Sequence, residues 1–173
     1  MKKLLRFLTV IAVTAAAVMP LTVLAQQPTQ VIGGGTGTFD ADLDGDGDID
    51  GSQFGIGVVI KDGSAQGHFE CLMAGRSDIL GLHLMAVQGQ VTDGSVAGGA
   101  ATFNGVATVN LGNGAMFPGI PFEVTVTEGG PGVGTLTLTV IGAFDGVPGD
   151  TAPGNGNYDL PTETVRSGRI RIQ

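Results

Sequence analysis

From Phe54 onward the apolar side chains recur every second residue, and no segment carries a sustained i, i+3, i+4, i+7 stripe. That period commits the chain to strands. Phe54, Ile56, Val58 and Ile60 form one row, with Gly55 and Gly57 between them. Phe69, Cys71 and Met73 form the next, opposite His68 and Glu70. Leu80, Leu82, Leu84 and Ala86 are read as a third inward row, and Phe103, Gly105, Ala107 and Val109 as a fourth. Phe122, Val124 and Val126, then Leu136, Leu138 and Val140, then Ile170 and Ile172 complete the series. With 31 glycines and only 14% charged residues in 173, helices are disfavoured throughout.

Turn chemistry punctuates these rows. Asp62-Gly63 and Asp93-Gly94 are each read as tight hairpins, because Asp-Gly accepts the positive φ such turns require. Gly112-Asn113-Gly114 and Gly129-Gly130-Pro131-Gly132 do similar work. The expectation is one all-β domain of about seven to nine antiparallel strands in mostly sequential hairpins, folded over its own core as a barrel or sandwich. An outer-membrane barrel carries aromatic girdles; one tyrosine and no tryptophan argue against it.

Residues 1–25 read as a cleaved signal peptide: Lys2, Lys3 and Arg6 precede an apolar run from Leu8 to Leu24 that ends Val23-Leu24-Ala25. The expected domain is 26–173, exported to the periplasm or outside the cell, with no membrane span. Sixteen acidic against eight basic side chains, a net charge of −8, exclude electrostatic capture of nucleic acid. The lone Cys71 excludes an internal disulfide and, alternating with Phe69 and Met73, reads as a small buried apolar residue.

One stretch concentrates charge. Asp40, Asp42, Asp44, Asp46, Asp48 and Asp50 occupy alternate positions around Gly45, Gly47 and Ile49. Like charges this close repel, so such a run stays solvated or binds a hard cation. In an EF-hand frame Asp42, Asp44 and Asp46 take positions 1, 3 and 5, Gly47 the turn at 6, Asp48 the carbonyl at 7, and Asp50 position 9. Gln53 stands at position 12, where a bidentate carboxylate is usual. The stretch resembles the calcium loop of dockerins. It implies calcium held by Asp42, Asp44, Asp46, Asp48, Asp50 and Gln53, weakly, on the order of 0.1–1 mM. No flanking helices are expected.

Other constellations are less specific. Gly33-Gly34-Gly35 with Gly37 lacks the helix and the Gly-Lys-Ser/Thr ending of a phosphate loop. His68, Glu70 and His83 suit zinc by type, without a motif spacing. Neither a Gly-x-Ser-x-Gly elbow nor a His-Glu-x-x-His pair is present. Asp145 to Asp159 forms a long irregular stretch whose acids reach the calcium loop or a partner, or which is simply a flexible crossover.

Several stretches in order are similar to a small secreted bacterial β-domain known as post-COAP. They are Gly33-Gly34-Gly35-Thr36-Gly37, Phe54-Gly55, Gly67-His68-Phe69-Glu70-Cys71 and Ala101-Thr102-Phe103-Asn104-Gly105. Phe122 to Thr127 with the Gly129-Gly130-Pro131-Gly132 turn, and Gly168-Arg169-Ile170, complete the series. Gly134 and Leu136 depart from that pattern, where an acid and an aromatic are usual. The resemblance spans 31–173 and implies no catalytic activity. The functional expectation is an exported, non-catalytic structural or adhesive domain with an envelope or extracellular partner. The alternative is a module binding a glycan or a small apolar molecule, and third comes a hydrolase whose site has no recognisable motif.

Overall fold

Period-two alternation builds nine antiparallel strands among the described residues: β1 (Thr29–Thr38), β2 (Gln53–Lys61), β3 (Ser64–Ile79), β4 (Leu82–Ala97), β5 (Ala100–Asn110), β6 (Met116–Thr127), β7 (Thr135–Val140), β8 (Tyr158–Asp159) and β9 (Glu163–Ile172). The structure, a computed structural model, describes residues 27–40, 51–79 and 82–173, and the side chains of these outside 74–84. The expected signal peptide, 1–25, lies outside the described residues. Among the described residues no helix is long and apolar enough to cross a membrane.

The strands form a single sheet in the order β6-β5-β4-β3-β2-β1-β9-β7-β8, with a further pairing of β6 to β7. Successive strands from β1 to β7 pair antiparallel with their neighbours in sequence. The barrel expected from the sequence is corrected by this pairing. A regular barrel runs full ladders around its circumference. Here β7 has six residues and β9 ten, and they share only Thr135↔Thr164 and Leu136↔Glu163. Beyond those pairs the Gly129–Gly134 turn crosses β9, joined by the bridge Gly129↔Ile170 and by Gly132 N–H donating to the Val165 carbonyl at 2.9 Å.

The inward rows of β2, β3, β5, β6 and β7 fall as the alternation requires, with Ile56, Phe69, Phe103, Val124 and Leu138 all buried. Phe69 is the hub: its ring stacks on Phe122 (centroids 5.7 Å, 22°) and meets Phe103 edge-on (6.0 Å, 60°). Phe122 lies across β4 and β5 where Gly89 and Gly105 stand; a Cβ on Gly89 would collide with its ring, and one on Gly105 would lie 3.0 Å from its Cε1. The two glycines let the ring reach the centre of the core.

Two local expectations fail in β4. The inward residues there are Met85, Val87 and Val91, while Ala86 is only half-buried, so Ala86 does not belong to the inward row; the side chains of Leu80, Leu82 and Leu84 lie outside the described residues. Asp93-Gly94 is no turn. It sits inside the ladder as Asp93↔Asn104 and Gly94↔Phe103, just past a register shift after Val91. Gly94 packs where a Cβ would lie 3.1 Å from Ile60 Cδ1 and from the Thr102 carbonyl. The hairpin closes five residues later at Gly98-Gly99, with φ of 61° and 83°, whereas Asp62-Gly63 does turn as expected, with φ of 52° and 83°.

Candidate functional site

The outward face of β2, β3 and β4 follows from the same alternation. Register aligns Gly57, His68 and Gln90 in one cross-strand row, and Gly55, Glu70 and Gln88 in the next. Glycines at both β2 positions leave the sheet without side chains there, and the walls are supplied by β3 and β4. The result is a surface trough of about 430 Å³ bounded by these six residues. Glu70 lies over Gly55: its Cγ and Oε1 stand 3.0 Å from where a Cβ would be, while Gly57 has nothing within 4 Å of that point. The Gln90 amide Nε2 is 2.8 Å from His68 Nδ1. The contact ties the imidazole of β3 to the amide of β4. A smaller depression of about 230 Å³ continues the trough past Glu70 and Gln88 toward Gln53, Leu72 and Ala86.

On the inward side, at the end of the sheet where β1 crosses to β2, lies a buried polar cluster that the sequence reading missed. Glu163 is 1% exposed. Its Oε2 accepts from the Ser52 hydroxyl at 2.8 Å, and its Oε1 has no partner. A Cβ on Gly37 would collide with Oε2, so the carboxyl packs directly on the backbone of β1. Burial pushes Glu163 up to about 7, against the lowering effect of hydrogen bonds from the Ser52 side chain and backbone. Cys71 is buried nearby. Burial, then the Glu163 charge, push its thiol far up, against a lowering hydrogen bond with Ser52. It is a protonated core residue and not a nucleophile. The signal available in the sequence was phase, since Glu163 falls two residues before the buried Val165.

The expected calcium ligands Asp42, Asp44, Asp46, Asp48 and Asp50 lie outside the described residues. Gln53 is exposed at the start of β2, paired with Thr36 and Leu72. The ends of the acidic segment meet the core through Phe39, 2% exposed, and Ser52, 4% exposed. Among the described residues no three or more His, Cys, Asp or Glu side chains are grouped to hold a metal. His68 and His83 do not share a cross-strand row. His68 pairs with Gln90, seven positions along β4 from His83, roughly 23 Å at strand rise.

The long stretch before β9 is ordered by its own acids. Asp145 accepts from Gly154 N–H at 2.7 Å and Gly156 N–H at 3.1 Å. Asp150 accepts from Gly146, Ala152 and Asp159 N–H. Its slight burial works upward, but the Ala152, Gly146 and Asp159 donors and a side-chain hydrogen bond with Asp145 outweigh that and hold its carboxyl below the ordinary range. Tyr158, 1% exposed, donates to the Pro148 carbonyl at 3.1 Å. Phe144 meets Phe117 edge-on at 5.4 Å. Asp145→Ala removes two acceptors at once. Amide exchange at Gly154 and Gly156 should accelerate by about tenfold or more, at about 1 kcal/mol per lost bond. Unchanged protection at both amides would mean that Asp145 does not hold the loop.

No protein-family model, curated protein or solved structure matches the chain.

Proposed function

We propose that the chain is an exported, non-catalytic structural or adhesive β-domain whose acidic segment between β1 and β2 binds calcium weakly. The observation that supports this most is the division of labour across the sheet. The inward face is a continuous aromatic and aliphatic core running from Val31 to Ile170. The outward face carries polar side chains and glycines on rigid strands. The likeness to post-COAP domains belongs to the same proposal, as does export.

The Phe69–Phe103–Phe122 cluster bears on the alternative of a small apolar guest held inside the sheet, because those rings occupy the middle of the core. The outward trough favours a second reading, a glycan-binding module, since convergent polar groups around a concavity are what such sites use.

Calcium is tested by thermal unfolding. At 10 mM calcium and the affinity expected above, binding to the folded state alone adds about 1.5–3 kcal/mol, so the Tm should rise by several degrees over that in EDTA. Equal melting temperatures would remove calcium from the proposal. Adhesion is tested separately: a surface coated with the chain should retain bacterial envelope material, and retention no greater than on an albumin coat would overturn it.

A further inference from the structure

We infer that the outward trough over Gly55 and Gly57 is a binding site for an uncharged, hydroxyl-rich oligosaccharide, and that it is the surface through which the domain adheres. This rests on the adhesive reading above and names its ligand.

The trough is made by residue types that serve hydroxyl groups. Gln88 and Gln90 each offer a carbonyl acceptor and an amide donor, and Glu70 offers two acceptor oxygens. His68, held through Nδ1 by Gln90, leaves its Nε2 for a hydroxyl. All four are exposed on rigid strands in consecutive cross-strand rows. Vicinal hydroxyls of a pyranose match such alternating donors and acceptors. The floor is backbone: Gly55 and Gly57 stand beside Gly34 and Ile32 of β1. Ile32 is 41% exposed at one end of the Gly57–His68–Gln90 row, and Val106, paired with Gln90, is 48% exposed at the other. Those two flanks supply apolar contact for sugar C–H faces where no aromatic platform stands. A volume of about 430 Å³ lies within the usual range of small-ligand sites.

Charge decides between glycan classes. Glu70 is the one carboxylate among the trough's lining residues. The whole chain carries −8. An anionic group seated against Glu70 is repelled, while neutral hydroxyls gain a charge-assisted acceptor there. The exposed arginines of β9, Arg169 and Arg171, stand in these same two cross-strand rows, paired with Gly34 and Ile32 one strand beyond the floor, and Arg169 Nε lies 3.9 Å from where a Cβ on Gly130 would be.

The test uses the full chain after export. Binding is measured by calorimetry against cellohexaose, mannohexaose and a linear β-1,3-glucan hexaose as neutral probes, with an oligogalacturonate as the acidic one. Gly57→Leu fills the trough. A side chain there meets open space, and residue 57 is ordinary extended strand, so the variant should melt with the wild type. The expected result is binding of at least one neutral hexaose, weakened about tenfold or more by Gly57→Leu. Gln88→Ala with Gln90→Ala, both exposed, should weaken it similarly and serves if Gly57→Leu melts early. Neutral binding unaffected by both variants overturns the site. Binding of the oligogalacturonate alone overturns the ligand class and leaves adhesion standing. Failure of every probe, together with no retention of envelope material, overturns both readings; failure of every probe with retention intact overturns only the trough.

Discussion

Phe122→Ala will destabilise the fold by about 3–5 kcal/mol, the upper range for truncating a buried aromatic. Phe122 is fully buried and stacked on Phe69, which in turn meets Phe103. The cost depends on how far the surroundings collapse into the space left behind. Here they cannot collapse far. The ring is flanked by Gly89 and Gly105, which have no side chains to rotate inward, and both sit in paired strands. Urea unfolding should show a lower midpoint with an unchanged slope. A loss below about 1 kcal/mol would contradict the packing of the three rings.

The second large effect is a stability that falls as pH rises from about 4.5 toward 7. The Glu163 carboxyl is held at about 7 in the folded chain against an ordinary value of 4.5. Below 4.5 both states are protonated and the group contributes nothing to the pH dependence. Between 4.5 and about 7 the unfolded chain has released its proton and the folded chain retains it, so the folded state binds more protons and loses stability as pH rises. Above that window both are ionised and the full cost is present, about 3 kcal/mol at 1.36 per pH unit. Glu163→Gln keeps an acceptor for Ser52 and cannot ionise. It should match the wild type near pH 4.5, exceed it at pH 8, and flatten the profile between. Parallel profiles for the two proteins would show that Glu163 is not the titrating group.

The strands were legible wherever alternation was regular and flanked by real turns, as at Phe54–Ile60 and Phe122–Val126. Asp93-Gly94 misled because dipeptide chemistry permits a turn without requiring one. The ladder to β5 continues through it, and the packing of Ile60 and Ala65 against Gly94 gives the glycine another use. Ala86 was misread as an inward residue, whereas its neighbours Met85 and Val87 carry the buried face of β4. The barrel was a natural inference from one-sided strands, yet the short β7–β9 junction depends on where β7 begins, which periodicity does not encode. His68 and Glu70 were legible as outward residues. Their assembly into a trough was not, because it depends on which β4 residues lie opposite them. Glu163 passed unnoticed because a single acid at the start of a polar strand looks solvated until its neighbours are known.

The pairing of β1 with β9, from Val31↔Ile172 to Thr38↔Thr164, also sets the order of events during folding. Hairpins between β2 and β7 close over short loops. The β1–β9 ladder must bring together segments at opposite ends of the sequence, and the entropy of closing so long a loop is lost before any of its hydrogen bonds form. β1 therefore has one side unpaired until β9 docks on it. A chain built this way completes its sheet late, after the local hairpins have formed.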